Sequence, residues 1–137
     1  MTVHLDTSAL YAATDRAERD HARAAGELRR LVLERHPLVI TVLVLAELHA
    51  LALRRLGPEQ ALALIDRVLA SPRVEVVDTG PRGVERALDL LRRRPGRTYS
   101  LADAVSFDVM RARSIEVAFT LDADFAAEGF QVVPIRP

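Results

Sequence analysis

The hydrophobic positions of the 137-residue chain fall into short apolar runs that alternate with longer stretches of helical period. Thr2 to Leu5 reads as a short strand that stops at Asp6. Asp6-Thr7-Ser8 is a turn or cap signal, and Ala9 to Ala13 begins a helix. Asp15 to Asp20 is polar connection or early helix, and from Ala17 to Arg35 the apolar positions fall near 21, 24/25, 28 and 31/32, a helical spacing that Pro37 stops. Leu38 to Thr41 is a short strand. Val42 to Arg55 then reads as a helix apolar nearly all round, which predicts burial on most faces.

Gly57-Pro58 separates that helix from the next, whose stripe is Ala61/Leu62, Ile65 and Val68/Leu69. Pro72 breaks it, and Val74 to Val77 is a strand ending at Asp78-Thr79-Gly80. Pro81 opens a helix with stripe Val84, Ala87/Leu88 and Leu91, followed by a basic loop over Arg92 to Arg97. Ser100 to Arg113 is a helix and Val117 to Leu121 a strand that ends at Asp122. Asp124 to Glu128 is a single turn closed by Gly129, and Gln131 to Pro134 is a last strand. Strands alternating with helices predict an α/β fold with a mainly parallel sheet. Active sites of such sheets collect at the carboxyl ends of the strands. No linker, repeat or low-complexity tract divides the chain, so one domain over residues 1–137 is expected.

Composition narrows the chemistry. Half the residues are hydrophobic and 28% charged, the profile of a soluble globular domain. The absence of Cys excludes a disulfide framework, a thiolate zinc site and a cysteine nucleophile. Met1 to Leu10 has no signal-peptide pattern, and the most apolar stretch, Ile40 to Leu53, is interrupted by Glu47 and His49 and is too short to span a bilayer. A cytoplasmic protein with no membrane partner is the expectation. Net charge is zero, and every basic residue is Arg. Residues 82–97 nevertheless hold 6 Arg and 2 acids, a local net charge of +4.

Four carboxylates stand out by position. Asp6 and Asp122 close strands, Asp103 lies in the first turn of its helix, and Glu47 sits on an apolar helix. Each has a structural alternative: a helix cap for Asp6, a capping box with Ser100 for Asp103, a turn for Asp122, an Arg partner for Glu47. Taken together they can converge on one cleft. Two unit charges 5 Å apart repel by roughly 3 kcal/mol at an effective dielectric near 20. Several such repulsions exceed what a marginally stable domain carries, so either some acids are protonated or divalent cations sit among them. Oxygen ligands select Mg²⁺ or Mn²⁺ over zinc, and carboxylate-held magnesium usually acts on phosphates.

The segments Val3-His4-Leu5-Asp6-Thr7-Ser8-Ala9-Leu10, Leu45-Ala46-Glu47-Leu48, Ser100-Leu101-Ala102-Asp103-Ala104-Val105-Ser106 and Thr120-Leu121-Asp122-Ala123-Asp124-Phe125 resemble the PIN-domain family. The match is nearest to the VapC-type toxins of bacterial toxin–antitoxin pairs, and it includes the closing Gly129-Phe130-Gln131-Val132-Val133-Pro134. The resemblance implies a three-layer α/β/α sandwich and a Mg²⁺- or Mn²⁺-dependent endoribonuclease. It implies that Asp6, Glu47, Asp103 and Asp122 form the acidic quartet, with Asp6, Asp122 and Asp103 on the metal and Glu47 on a second metal or a metal-bound water. Thr7, Ser8 and Thr120 match positions that support the acids by hydrogen bonding. Asp124 matches a more variable position, either an outer acid or surface. An RNA substrate, a cognate antitoxin and a homodimer are implied in the same way. Two other readings remain open: an RNA-processing nuclease outside such pairs, and a non-catalytic module whose acids dock basic side chains.

Arg92, Arg93, Arg94 and Arg97 are candidates for RNA phosphate contacts, against the alternative of a solvated, dipole-favoured helix end. Aromatic residues are too few for a base-stacking surface. The four His lack zinc-site spacing, and His4 reads as a packed or edge-facing strand residue. Asp6-Thr7-Ser8 and Asp78-Thr79-Gly80 mimic aspartic-protease signatures, but three helical patterns lie between them where that fold is nearly all β. The absence of Lys and the Ser at position 8 argue against receiver domains and haloacid dehalogenase-like phosphatases.

Overall fold

The computed structural model describes residues 1–135; residues 136 and 137 of the expected domain lie outside the described residues. The strands are β1 (Val3–Leu5), β2 (Leu38–Thr41), β3 (Val74–Val77), β4 (Val117–Phe119) and β5 (Gln131–Val133). They form one sheet in the order β3-β2-β1-β4-β5, with each neighbouring pair parallel. Parallel neighbours need crossovers. These are α1 (Thr7–Thr14) and α2 (His21–Leu33), α3 (Val42–Leu56) and α4 (Pro58–Ala70), α5 (Gly80–Arg93) and α6 (Leu101–Ala112), and the short α7 (Ala123–Ala127).

Alternation along the strands builds three layers. Val3, Leu5, Leu38, Ile40, Val117 and Phe119 pack into one core with α1 to α4. Val39, Val77 and Ala118 pack into the other with α5 to α7. His4 alternates with Val3 and Leu5, pairs in register with Val39 and Ala118, and meets the Phe125 ring at 5.8 Å, on the second face. The fold is the expected α/β/α sandwich.

The structure corrects several local expectations. Of the two readings of Asp15 to Asp20 the early helix fails and the connection holds: α2 starts at His21, because Asp15 accepts the Ala17 N–H on its side chain and the Glu18 N–H on its carbonyl, making a turn. The expected basic loop is shorter: Arg92 and Arg93 are the last turn of α5, which Pro95 then ends. Strand β4 stops at Phe119, two residues before the expected end. Helix α3 is buried on only one line, Val44, Leu48 and Ala52, while Val42 and Leu53 stay about two-fifths exposed at 41% and 43%. Its flanks are partly covered, Leu45, Leu51 and Leu56 against the first core and Leu43 against the second, and only its outward side is left to solvent.

This topology positions a site. Strands β1 and β4 are adjacent, yet the helices that follow them lie on opposite faces, α1 in the first core and α7 through Phe125 in the second. A crevice opens at such a switch point, beyond the carboxyl ends of the strands.

Candidate metal centre

Asp6 follows β1 directly, and its backbone N–H still bonds the Phe119 carbonyl at 3.0 Å. It takes the N-cap position of α1, but its side chain makes no cap bond. Both hydrogen bonds of that buried carboxylate fall on Oδ2, from Thr120 Oγ1 at 2.7 Å and Ser8 Oγ at 2.9 Å. The two hydroxyls lie 3.2 Å apart and stitch the following loop as well. Thr120 Oγ1 accepts the Asp122 N–H at 2.9 Å, and Ser8 Oγ accepts the Leu121 N–H at 2.9 Å. Asp122 is thereby reached through a turn after the strand.

Asp122 caps α7, its Oδ1 accepting the Asp124 N–H at 2.9 Å. Asp103 sits in a complete capping box: Ser100 Oγ accepts the Asp103 N–H at 3.0 Å and Asp103 Oδ2 accepts the Ser100 N–H at 3.1 Å. The cap and the site are therefore roles of the same side chains. Asp103, Asp122 and Asp124 each offer an oxygen within 4.8 Å of the others. Asp124, which the family pattern left variable, belongs to this group. Asp6 and Glu47 lie outside that tight triad, though their charges act on its members.

Glu47, half-buried on α3, accepts the Thr7 hydroxyl at 2.8 Å. The alternative of an Arg partner for it fails. Among the described residues none of the ion pairs involves Asp6, Glu47, Asp103, Asp122 or Asp124. The protonation behaviour reflects that. Burial pushes the Asp103 carboxyl up to about 6, and the charges of Asp6 and Asp122 add to the effect against its bonds from Ser100. Burial also raises Asp6, opposed by the Thr120 and Ser8 hydroxyls and reinforced by Asp122 and Glu47. Glu47 rises by burial, against its Thr7 bond, with Asp103 and Asp122 adding. Asp124 rises by burial and by the charge of Asp122.

The donor set fits a hard divalent cation. It consists of carboxylate oxygens alone, spaced so that one ion reaches three of them, and among the described residues none of these acids is in an ion pair. The histidines stand apart. His21 Nδ1 contacts the Ala12 carbonyl at 2.8 Å and His36 Nδ1 the Met1 carbonyl at 3.1 Å, while both ring nitrogens of the buried His4 lack a partner. Two cavities also lie away from the acids: one of about 550 Å³ between α1, α2 and α4, and one of about 370 Å³ near Thr2, Pro37 and Arg113.

The basic segment is sorted by its partners. Arg92 bonds Asp89 at 2.9 Å and Arg94 bonds Glu128 at 3.1 Å, whereas Arg93 and Arg97 make no ion pair among the described residues. Glu128, which the sequence pattern showed only as a helix end, has a side chain 4% exposed.

The molecule thus gathers carboxylates at the switch point of a parallel α/β sheet, where three of them lie close enough to hold one metal ion. The chain belongs to the PIN domain family, whose model matches residues 3–130. It is 40% identical over 114 residues to the 23S rRNA-specific endonuclease VapC20 of Mycobacterium tuberculosis, covering 82% of this chain and 84% of that protein. Identity to Ribonuclease VapC26 of the same organism is 35% over 121 residues, 86% of this chain and 84% of that one. The crystal structure of M. tuberculosis VapC20, a sarcin–ricin loop cleaving toxin, superposes with a TM-score of 0.84 at 34% identity, over 98% of this chain and 99% of that one. VapBC2 of Rickettsia felis, bound to a DNA fragment from its promoter, shares the fold at a TM-score of 0.72 and 18% identity, over 96% and 97% of the two chains. This is a PIN-domain protein of the VapC type.

Proposed function

We propose that this protein is a divalent-metal-dependent endoribonuclease, the toxin of a toxin–antitoxin pair acting in the cytoplasm. The observation that carries this reading is the group of Asp103, Asp122 and Asp124, with Asp6 and Glu47 beside it and no ion pair to any of them among the described residues. These residues would hold Mg²⁺ or Mn²⁺. Bound there, the ion supplies an acidified water and neutralises charge developing on a phosphodiester.

The chain's own residues set the stage for that chemistry. Thr120 and Ser8 hold one oxygen of Asp6 and fix the loop that carries Asp122. Thr7 orients Glu47 from across the cleft. Ser100 restrains one oxygen of Asp103 and Asp124 N–H restrains one of Asp122, so neither carboxylate swings freely. With water as the attacking group, no side chain is needed as nucleophile.

The substrate reading is RNA, with 23S rRNA the first molecule to test given its role for the VapC20 relative. A cognate antitoxin and a second copy of the chain are the proposed partners. Large apolar side chains left exposed on α3 (Val42, Leu53) and α4 (Leu62, Leu69) support protein partners. The test is cleavage of ribosomal RNA by purified protein with Mg²⁺ or Mn²⁺. Asp6→Asn and Asp103→Asn are each expected to abolish it; cleavage that survives both substitutions rejects the site.

A further inference from the structure

The basic segment and the acidic site are joined by one side chain that neither reading above uses. Glu128 is the C-cap residue of α7, the helix whose other end carries Asp122 and Asp124. Its buried carboxylate receives three side chains. Arg94 Nε and Tyr99 Oη donate to Oε2 at 3.1 and 2.9 Å, and Arg111 donates to Oε1 at 2.9 Å. Arg111 also bonds the Glu128 carbonyl at 3.0 Å and lies over the Phe130 ring at 5.1 Å. Burial alone would raise this carboxyl, but the donors Arg111, Tyr99 and Arg94 outweigh it and hold it below the usual range.

Arg94 and Tyr99 are the two ends of a six-residue strap, so one carboxylate fastens both. Between them the chain turns at Pro95-Gly96, with the Arg97 N–H bonding the Arg94 carbonyl at 3.0 Å. Tyr99 is held edge-on against Phe107 at 5.2 Å, and the next residue, Ser100, opens the capping box of Asp103. The strap that leads to Asp103 is thus tied to the helix of Asp122 and Asp124. Its tip is exposed, and it presents Arg97. Arg92 and Arg94 are committed to Asp89 and Glu128, whereas Arg97 makes no ion pair among the described residues. Its charge is felt at Asp124, where it opposes the upward shift.

We propose that Glu128 is a positioning residue that holds both ends of the 94–99 strap so that Arg97 meets an RNA phosphate beside the acidic site. A guanidinium is suited to that contact, since its planar fork matches phosphate oxygens. The inference rests on the RNA-cleaving reading of the same site and sharpens it. Of the four arginines in the basic segment, Arg94 is a strut and Arg97 the contact.

The test measures binding of a labelled single-stranded RNA oligonucleotide by fluorescence anisotropy across a salt series, alongside cleavage of that RNA with Mn²⁺. Wild type is compared with Arg97→Ala, Glu128→Gln, their combination, Tyr99→Phe, and Arg86→Ala as a control whose guanidinium pairs with Asp108. Arg97→Ala is expected to weaken binding about tenfold. It should also flatten the log–log salt dependence by about 0.7, because one phosphate contact is gone. Glu128→Gln should reproduce both effects, and the combination should be no weaker than either alone. Tyr99→Phe keeps its ring on Phe107 and loses one donor, so it should fall between wild type and Glu128→Gln, and it serves if the latter does not fold. Arg86→Ala should bind as wild type.

Wild-type affinity in Arg97→Ala, or in both strap variants, overturns the proposal, as do losses that multiply in the combination. A lowered Tm with unchanged affinity would make Glu128 a structural residue only. Wild type that binds with the expected pattern but cleaves nothing sinks the nuclease reading and leaves the strap standing. Cleavage with unaffected strap variants sinks the strap alone, and a wild type that neither binds nor cleaves sinks both.

Discussion

Thr120 donates its hydroxyl to Asp6 at 2.7 Å, and the same oxygen accepts the backbone N–H that carries Asp122 at 2.9 Å. One buried side chain at the end of β4 therefore sets two acids that arrive from opposite ends of the chain.

Thr120→Val should remove both bonds while keeping the shape of the side chain. Asp6 would keep only the Ser8 bond on Oδ2, and its carboxyl would rise further because the Thr120 bond lowers it. Loss of a group that orients a ligand costs 10- to 100-fold in metal affinity as a rule, and stability should drop by about 1–2 kcal/mol. Mn²⁺ titration calorimetry and urea melts read the two effects, and Thr120→Ser should restore most of the affinity.

Asp103→Asn should separate stability from activity. Asn keeps an acceptor for the Ser100 N–H, so the capping box survives, while a carboxyl burdened by burial and by Asp6 and Asp122 loses its charge. The metal-free variant should melt higher than wild type at pH 7.5, by a few degrees for about 1 kcal/mol. It should gain nothing from Mn²⁺ and cleave no RNA. A variant that melts lower without metal would show that the acids do not repel.

The pH dependence of the metal-free protein has a worked sign. The folded state holds the Asp103 proton up to about 6, against 3.8 ordinarily, so this stabilisation is full below 3.8 and lost as pH rises through about 6. Asp6, Glu47 and Asp124 shift in the same direction. Metal binds the ionised form, so protons compete with it. Mn²⁺ should raise Tm by several degrees at pH 7.5, since saturation at 100 times Kd gives about 2.7 kcal/mol. The increment should shrink at pH 5, and chelation should reverse it. Differential scanning fluorimetry over pH 5 to 8 checks this.

His4 pulls the other way. Burial lowers its pKa from 6.5 to about 3, so its contribution is full above 6.5 and lost as pH falls toward about 3. The loss runs at about 1.4 kcal/mol per pH unit inside that window. His4→Leu should remove this acid lability and, by replacing two unpartnered ring nitrogens, should not lower stability at pH 7.5. Urea midpoints at pH 5 and 7.5 measure it; an unchanged pH difference rejects the account.

The strands and most helices were legible because period and breakers act locally. Val74–Val77 and Leu38–Thr41 appear at their expected bounds, and Pro58 marks where a helix begins. Asp15 to Asp20 stayed open between connection and early helix because Asp15 bonds its own turn, a local competition that apolar periodicity does not register. Exposure on α3 was missed because burial depends on how many neighbours surround a helix, not on how apolar it is.

The site divides along the same line. Asp6, Asp103, Asp122 and Glu47 stood out because each sits at a strand end, a helix start or an apolar surface, positions that sequence marks by itself. Glu128 did not, and Asp124 read only as an outer acid or surface, since an acid in a short helical turn looks like ordinary surface until its neighbours are known. The sequence by itself determined the layered α/β order and the types of ligand that meet at the strand ends, because hydrophobic period, caps and carboxylate chemistry are properties of nearby residues. Only the tertiary structure decided which carboxylates lie within reach of one ion and which arginines of the basic loop are tied into ion pairs. Those outcomes depend on distances between segments far apart in the chain, and such distances exist only once the sheet has assembled.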